Sequence, residues 1–536
     1  MKRSDAQRRR WMSQAFGLGA SGVMAGCSAS RPAGHAATSA RPASSATGAP
    51  PPWRGATDPF ALGVASGWPR PDGATIWTRL APQPLQNGGG VDPMPVAVQW
   101  EVFEEGRAAV VQSGRVDALP EWAHSVRVDV RGLQPHRRYR YRFMSGDAVS
   151  AQGGFRTAPA PGRIEPLRLI FASCQQYEQG YYAAWRHAVA DSPDLVVFLG
   201  DYIYESSWGR NHVRKHDPGV PHTLADYRRR HALYRSDADL QAAHAACAWL
   251  PTWDDHEVDN DYANDLSQRG DPPEQFLARR AAAYQAYFEH MPLPWSMAPK
   301  GPDMQIYGTF DWGALARLHV VDDRQYRTPQ ACSPPGHAGS RVVGPECLDR
   351  LDPTRTLLGH AQEAWLSQSM RDSRARWNVL AQQTLMSRAD SKSGPGEAWW
   401  TDGWDGYPQA RRRLLESVRQ ANVANPLALG GDVHAFYAGE LHEDFDRPAE
   451  KPAMIEFVGG SITSQSWPQA RIDALVAENP NLKYGDGRFR GYGLMDIEPG
   501  RVQVSMRAID DARVAATGVR TLRRFEVREG VGRLEG

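Results

Sequence analysis

Short stretches of alternating apolar and polar residues dominate the chain between residues 58 and 159. Turns containing Gly or Pro separate them, and the clearest stretches cover 73–80, 95–105, 124–133 and 137–146. Strict alternation predicts strands with one buried face, and short strands at regular spacing are typical of a β-sandwich. The pattern therefore predicts an N-terminal β-sandwich domain, immunoglobulin- or fibronectin III-like, over 58–159.

Beyond residue 160 the pattern changes to continuous apolar runs that alternate with amphipathic segments. Apolar residues at helical spacing predict helices over 180–192, 224–247 and 273–291, the second of them helical in parts. The apolar runs between and after these helices predict strands, the later ones at 314–327, 376–384, 425–441 and 451–464. Strands that alternate with helices indicate an α/β architecture, so we predict a second domain over 160–536.

Several apolar runs end abruptly in residues that can bind a metal ion. One run ends at Cys174, and the next ends at Asp201 and Tyr204. Two more lead into the polar clusters WDDHEVDND (253–261) and GGDVHAF (430–436). Open α/β sheets build their sites at the carboxyl ends of strands, so we expect these side chains to converge. A thiolate, a carboxylate and a phenolate together favour a highly charged ion such as ferric iron over structural zinc.

The N-terminus reads as a targeting segment, which we place at residues 1–27. Arg8 and Arg9 resemble the twin-arginine export consensus. The weakly apolar stretch that follows, 15–25, is shorter than the roughly 20 residues that span a bilayer. It leads into an Ala-Gly-Cys ending at Cys27, which allows two interpretations. Cys27 is either the lipidated first residue of a mature lipoprotein or is discarded by simple signal-peptidase cleavage.

Residues 28–57 are rich in Ala, Ser, Pro and Gly and show no apolar periodicity. This composition predicts a disordered tether, which an enzyme anchored at Cys27 would need as a spacer. We therefore expect the twin-arginine translocation machinery as a partner, and a location in the periplasm or cell envelope. Membrane attachment through Cys27 belongs to the lipoprotein alternative.

Charge and cysteine usage narrow the class of protein further. The 536 residues carry 62 basic and 61 acidic side chains, for a net charge of +1, and contain no basic block that would indicate nucleic-acid binding. Cys332 and Cys347 flank a Pro- and Gly-rich loop. In an oxidising periplasm we predict a disulfide between them, worth about 3 kcal/mol by loop entropy. Cys247 lies in an apolar segment and is predicted to be a buried core residue.

Six segments, in series along the chain, resemble the motifs of the PhoD-like alkaline phosphatase/phosphodiesterase family of the metallophosphoesterase superfamily. They are FASCQQYEQGYY, FLGDYIYE, WDDHEVDNDYA, VDDRQYR, WDGYP and GGDVH. The resemblance extends over about residues 58–520 and includes the N-terminal sandwich. It implies a four-layer αββα catalytic domain, ferric iron and calcium (Fe3+ and Ca2+) as cofactors, and hydrolysis of phosphate esters.

The resemblance and the chemistry of the side chains together suggest how two ions would be held. The Cys174 thiolate, the Tyr204 phenolate and the His434 imidazole suit Fe3+. Asp201 is the natural bridging ligand, because one carboxylate can hold two cations.

The second ion is expected to have oxygen ligands. Asp255, Asp432 and Asn260 would supply them together with Asp201, and an all-oxygen set suits Ca2+. The wider superfamily has Asn-His where Asp255 and His256 stand, and His where Asp432 stands. The pair of cations would neutralise phosphate oxygens and supply a metal-bound hydroxide for in-line attack on phosphorus.

For other residues of the motifs the sequence allows two interpretations each. His256 is the best candidate for protonating the leaving alkoxide, with the alternative that it only orients a neighbouring residue. Arg324 and Trp404 are candidates for substrate binding, with the alternative that they hold loops in place. Asp259 and Asp261 are expected to be solvated carboxylates.

These observations lead to one main hypothesis and two alternatives. The main hypothesis is an exported phosphoesterase that hydrolyses small phosphate mono- and diesters. The first alternative is a phospholipase D-type phosphodiesterase that acts on phospholipid headgroups. The second is a non-catalytic binding protein of the cell envelope that works through its sandwich domain. Six motifs with their metal-binding residues intact favour the enzyme hypotheses over the binding protein.

Overall fold

Two large β-sheets dominate the computed structural model, which describes residues 49–216 and 219–536. Strands and helices are numbered in chain order. The first sheet has nine strands, in the spatial order β23 (Val519–Arg528), β22 (Arg501–Ile509), β21 (Arg490–Ile497), β9 (Leu167–Ala172), β10 (Leu195–Leu199), β11 (Ala248–Thr252), β1 (Val64–Arg70), β2 (Gly73–Arg79) and β5 (Ser125–Asp129). The second has seven, in the order β12 (Gly308–Trp312), β13 (Ala316–Val320), β15 (Trp377–Ala381), β17 (Pro426–Gly430), β19 (Met454–Gly459), β18 (Phe436–Leu441) and β20 (Leu482–Asp486).

The middle of each sheet is parallel. In the first sheet β10 pairs in parallel with both β9 and β11, with Val197 opposite Phe171 and Leu250. In the second, β15 pairs in parallel with β13 and β17, with Leu380 opposite His319 and Ala428. Parallel strands need both faces covered, which explains why these segments are continuous apolar runs in the sequence.

Within the described residues, seven α-helices connect or flank the strands. They are α1 (Ala183–Ala190), α2 (Leu224–Arg235), α3 (Ala238–Ala246), α4 (Pro273–His290), α5 (His360–Asp372), α6 (Pro408–Gln420) and α7 (Gln469–Glu478). The predicted helical segment 224–247 is two helices, because Asp237 interrupts it and caps the N-terminus of α3. Thr223 and Asp226 form a capping box at the start of α2.

Alternating side chains show that the two sheets face each other and that helices cover their outer faces. On β15, Val379 belongs to the main core, whereas Leu380 packs in the cluster that contains residues of α5 and α6. A side chain on Gly459 of β19 would lie 2.8 Å from the carbonyl oxygen of Phe171, so the sheets approach closely there. On the other side, Trp185 of α1 packs on Trp249 of β11 with ring centroids 4.9 Å apart. The layers are therefore helix, sheet, sheet and helix.

The strands predicted for a self-contained N-terminal sandwich are divided between two sheets. β1, β2 and β5 extend the nine-stranded sheet, and β1 pairs in parallel with β11, with Ser66 opposite Ala248. The others, β3 (Val96–Glu104), β4 (Val110–Ala118), β6 (Arg138–Ser145), β7 (Ala148–Val149) and β8 (Gly153–Arg156), form a separate five-stranded sheet. Alternation predicts β2, β3, β5 and β6 correctly but does not indicate their pairing partners. The predicted immunoglobulin-like character and the domain boundary at residue 159 stay predictions.

The other sequence predictions about the chain have mixed outcomes. The predicted export signal, Cys27 and most of the predicted tether lie outside the described residues. At the end of the predicted tether, the Trp53 amide donates to Ser145 Oγ at 2.8 Å, and the disorder of the tether stays a prediction. The Cys332–Cys347 disulfide is present, and Cys247 is buried, so both predictions are confirmed. Among residues 49–216 and 219–536, no helix is long and apolar enough to cross a bilayer.

Candidate metal centre

The predicted ligand residues lie at the carboxyl ends of parallel strands from both sheets. Cys174 follows β9, Asp201 follows β10 and Asp255 follows β11 in the first sheet, while Asp432 follows β17 in the second. Because the two sheets face each other with these ends at one edge, the clusters meet although almost 260 residues of sequence separate the first from the last.

The backbone at these strand ends is held in unusual conformations. Cys174, Asp201, Asp432 and His434 have φ values of 61°, 58°, 60° and 54°, in the left-handed region that non-glycine residues rarely adopt. Such residues cost about 1–3 kcal/mol each and cluster at functional sites. Gly200 has a φ of 100°, and a Cβ there would lie 2.4 Å from Asp254 Cβ. Glycine is therefore required where the chain turns toward Asp201.

A first group of donor atoms comes from Cys174, Asp201 and His434, whose donor atoms lie within 4.8 Å of one another. The Tyr204 hydroxyl lies among them: it donates to Asp201 Oδ2 at 2.7 Å and is 3.1 Å from His434 Nε2. Ser464 Oγ donates to the Tyr204 hydroxyl at 2.8 Å. The structure thus brings together the four residues predicted to hold or bridge to iron.

A second group consists of Asp201, Asp255 and His256, again with donor atoms within 4.8 Å. In the described part of the chain, Asp201 Oδ1 and Asp255 Oδ1 are buried and have no hydrogen-bond partner. The other oxygen of Asp255 is occupied, because it accepts from the Asp261 amide at 2.7 Å. Buried carboxylate oxygens without partners are costly unless a cation satisfies them, so the donor set fits a pair of metal ions that share Asp201.

The remaining predicted ligands, Asp432 and Asn260, belong to neither group of donor atoms. Asp432 Oδ2 accepts from Thr384 Oγ1 at 2.7 Å. Burial raises the pKa of Asp432 well above its ordinary value, and the negative charge of the nearby Asp255 raises it further, against the opposing effect of Arg324. The side-chain amide of Asn260 donates to Gln268 Oε1 at 3.2 Å, in a contact exposed to solvent. Asp432 therefore adjoins the second group, whereas the role of Asn260 as a ligand stays a prediction.

Burial and mutual repulsion set the protonation of the cluster. Burial, with the Asp201 charge next, raises the pKa of Cys174 well above its ordinary value. Burial also raises the pKa of Asp255, although Arg324 and His256 oppose the shift. Burial acts in the same direction on Asp201, but His256, His434 and Tyr204 outweigh it and lower the Asp201 pKa to about 2. A cation bound here would favour the anionic form of every one of these ligands.

His256 is held in one orientation by Glu205. The distance between His256 Nδ1 and Glu205 Oε2 is 2.6 Å, and the imidazole packs against the Tyr204 ring with centroids 4.2 Å apart. Burial lowers the pKa of His256, but Glu205 and Asp255 raise it more, to well above its ordinary value. Because Nδ1 is committed to Glu205, Nε2 is the atom left to donate a proton toward the site.

Arg324 forms ion pairs with several carboxylates of the site. Its side chain is 1 % exposed, and its guanidinium donates to Asp254 and, at 2.8 Å, to Asp402 Oδ2. Asp255 Oδ1 is 3.6 Å from Nη2. These contacts support a positioning role for Arg324, and direct contact with substrate stays a prediction.

Two tryptophans, Trp404 and Trp208, lie near the site. Trp404 is 1 % exposed and donates from Nε1 to Gln382 Oε1 at 3.0 Å, so its contacts are those of a core residue beside the site. Trp208 stacks on the His434 imidazole, with centroids 5.4 Å apart and planes at 9°. Trp208 therefore limits how the imidazole can turn.

The sequence analysis did not identify several residues whose contacts shape the site. Glu205 closes the apolar segment that contains Asp201, but its contact with His256 depends on the fold. Asp259 and Asp261 are buried, so the prediction that they are solvated is wrong. Asp259 pairs with Arg279 at 2.8 Å, which a sequence pattern does not reveal because the partner lies on α4.

Comparisons with known proteins agree with this arrangement. A family model described as "PhoD-like phosphatase" matches residues 169–506, and one described as "PhoD-like phosphatase, N-terminal domain" matches 44–159. The chain is 45% identical over 463 residues to alkaline phosphatase D of Bacillus subtilis (strain 168). That alignment covers 84% of this chain and 78% of the relative.

Solved structures show the same likeness. A structure of PhoD superposes with a TM-score of 0.85 at 42% identity, covering 90% of this chain and 92% of the other. The purple acid phosphatase PPD1 from yellow lupin (Lupinus luteus) seeds has a TM-score of 0.57 at 12% identity, covering 88% of this chain and 74% of that one. The second likeness shows a shared fold alone.

Proposed function

Because the chain belongs to the PhoD-like phosphatase family, we propose that it hydrolyses phosphate mono- and diesters with Fe3+ and Ca2+ as cofactors, after export from the cytoplasm. The family membership makes it a phosphoric ester hydrolase. The identity of the ions, the range of esters and the export are the parts that we propose.

The observation that carries the proposal is the position of Asp201. It belongs to both groups of donor atoms, and its buried Oδ1 has no hydrogen-bond partner within the described residues. A carboxylate with one oxygen free between two donor groups is placed to bridge two cations. The bound ions would supply charge for the phosphate oxygens and activate the attacking water.

The two groups differ in chemistry, which supports two different ions. Cys174, Tyr204 and His434 offer sulfur, phenolic oxygen and nitrogen, a set that suits Fe3+. Asp255 and Asp432 offer carboxylate oxygens, which suit Ca2+.

The chain's own residues then hold the ligands and move the proton. The Arg324 guanidinium donates to Asp254 and Asp402 and lies 3.6 Å from Asp255. These contacts would keep the carboxylates in position when substrate binds. His256, oriented by Glu205, is placed to donate from Nε2 to the oxygen of the leaving alcohol.

Hydrolysis of p-nitrophenyl phosphate and of bis-p-nitrophenyl phosphate tests this function. We expect a chelator to stop the reaction and Asp201→Asn to slow it more than the roughly 10–100-fold typical of residues that only support ligands. Asp311→Asn is the matched control, because Asp311 forms an exposed pair with Arg317 on the far strands of the second sheet. Full activity of Asp201→Asn in the presence of chelator would contradict the proposal.

The proposal of export has its own test. Lys in place of both Arg8 and Arg9 should retain the protein in the cytoplasm, as judged by cell fractionation. Cys27→Ser should release an otherwise membrane-bound protein in soluble form if Cys27 is lipidated. Unchanged export of the Arg8 and Arg9 variant would contradict the twin-arginine route.

A further inference from the structure

One loop contacts all three of the side chains proposed to bind iron alone. It covers residues 461–465 and follows β19 of the second sheet. The Ser464 amide donates to the Cys174 carbonyl at 3.2 Å, and the Gln465 carbonyl oxygen lies 3.0 Å from His434 Nδ1. Because a carbonyl can only accept, His434 Nδ1 carries a proton and Nε2 is left to bind an ion. The loop therefore orients one proposed ligand and holds the backbone of another.

The third ligand, Tyr204, contacts the same loop through its phenolic oxygen. Ser464 Oγ lies 2.8 Å from that oxygen, and Ser464 is 0 % exposed. The Tyr204 hydroxyl donates its own proton to Asp201 Oδ2 at 2.7 Å. In the pair of hydroxyl groups, Ser464 is therefore the donor and Tyr204 the acceptor.

A second oxygen lies within reach of the Ser464 hydroxyl. The Cys174 carbonyl oxygen is 2.9 Å from Ser464 Oγ, but it already accepts from the amides of Thr463 and Ser464 at 3.3 and 3.2 Å. The Gln176 amide donates to Ser464 Oγ at 3.2 Å, so this oxygen accepts one hydrogen bond and keeps its proton to donate. A phenolate is the stronger acceptor of the two, because hydrogen bonds to ionised groups are roughly twice as strong as neutral ones.

Arg490, at the start of β21 in the first sheet, holds the loop in place. Its Nη1 donates to the Ser464 carbonyl at 3.0 Å and to the His434 carbonyl at 2.8 Å. Its Nη2 donates to the Gly487 carbonyl at 2.6 Å. A planar guanidinium that makes several hydrogen bonds fixes its partners in one geometry. The position of Ser464 relative to the ligands is therefore set by the fold.

We propose that Ser464 is a positioning residue whose hydroxyl donates a hydrogen bond to the Tyr204 oxygen when that oxygen binds iron. The inference rests on the proposed function, in which Tyr204 holds Fe3+ as a phenolate. A bound cation would replace the proton that Tyr204 donates to Asp201, whereas the Ser464 hydroxyl can stay where it is. The hydrogen bond draws electron density from the phenolate oxygen. Ser464 would thereby leave more positive charge available to the phosphate oxygens of the substrate.

The absorption band that arises from charge transfer between phenolate and iron measures this hydrogen bond. In the purified, iron-loaded protein, Ser464→Ala should move the band to longer wavelength, because the phenolate electrons lose the stabilisation that the hydroxyl provides. We expect a shift of about 3–6 %, the ratio of a hydrogen bond to a charged group to the energy of a visible photon. The iron content, measured on the same sample, ensures that the band is compared between loaded proteins.

The dissociation constant for iron gives a second measurement, which does not depend on the colour. Ser464→Ala should raise it about 10-fold, the lower end of the range for residues that support a ligand. In a Tyr204→Phe background, which has no phenolic oxygen to accept the hydrogen bond, the same change should raise it less than about 2-fold. Equal rises in the two backgrounds would overturn the proposal.

Ser461→Ala is the matched control for the band. Ser461 is 0 % exposed in the same loop, but its hydroxyl donates to the Ser464 carbonyl at 2.7 Å and not to a proposed ligand. It should leave the band where it is. No shift in Ser464→Ala, a shift to shorter wavelength, or an equal shift in Ser461→Ala would overturn the role of Ser464 alone. A wild-type protein that is active but colourless and free of iron would instead refute the proposed Fe3+, and this inference with it.

Discussion

Replacing Arg324 by Met should destabilise the protein strongly at alkaline pH and much less at acid pH. Arg324 is 1 % exposed and pairs with Asp254, with Asp402 at 2.8 Å, and with Asp255 and Asp323 at 3.6 and 3.8 Å. Removing one partner of a buried ion pair costs about 3–5 kcal/mol, because the other charge stays buried without compensation.

The loss of stability should depend on pH, because the variant can neutralise a buried aspartate by protonating it. Burial raises the pKa values of Asp254 and Asp402, and the Arg324 guanidinium opposes that rise, so without Arg324 both pKa values should be higher in the folded state. The folded variant then binds more protons than the unfolded chain above about pH 4, so its stability falls as pH rises. Protonating one aspartate costs about 5.6 kcal/mol at pH 8 and about 1.5 kcal/mol at pH 5, from an ordinary pKa of about 3.9. We therefore expect a loss of about 5 kcal/mol at pH 8 and about 1–2 kcal/mol at pH 5.

Urea denaturation of the metal-free protein, with chelator present, measures this difference at the two pH values. Arg317→Met serves as the control, because Arg317 pairs with Asp311 at 2.6 Å where the side chains are 24% and 49% exposed. The control should lose less than about 1 kcal/mol at either pH. A loss for Arg324→Met below about 1 kcal/mol at pH 8, or an equal loss at both pH values, would refute the reasoning.

Three further predictions concern stability and the strand ends. Cys332→Ser combined with Cys347→Ser should lower the free energy of unfolding by about 3 kcal/mol, measured by urea denaturation, and unchanged stability would contradict it. Burial lowers the pKa of His319 to about 4. The unfolded chain therefore takes up that proton first as pH falls, and His319→Gln should reduce the loss of stability between pH 7 and pH 5 by about 2 kcal/mol. Gly200→Ala should lose both stability and ester hydrolysis, because φ is 100° and the new Cβ would lie 2.4 Å from Asp254 Cβ. Gly162→Ala, at a φ of 82° with open space around it, should lose stability by about 1 kcal/mol and keep hydrolysis.

Much of the candidate site could be predicted because strand ends leave a local signal. An apolar run that stops at a polar residue identifies Cys174, Asp201 and Asp432 without knowledge of the fold, and all three lie at the edge where the two sheets meet. Contacts between distant segments leave no such signal. Glu205 meets His256 from 51 residues away, and Arg324 meets Asp402 from 78 residues away.

The same reason explains the N-terminal region. Alternation places β2, β3, β5 and β6 correctly, since it depends on which face is buried. The pairing of β1 with β11 joins Ser66 to Ala248, across 182 residues of sequence. No pattern within either strand specifies that partner, so the sequence alone predicts a separate sandwich.

The iron content and visible absorption spectrum of the purified, active protein test the central claim most directly. Tyr204 lies 3.1 Å from His434 Nε2 and hydrogen-bonds Asp201, so a ferric ion held by these groups would be bound to a phenolate and a thiolate. We predict about one iron per chain. The protein should also show a charge-transfer colour that Tyr204→Phe shifts or removes, and hydrolysis should stop when the iron is withdrawn. An enzyme that is colourless, free of iron and fully active would contradict the account.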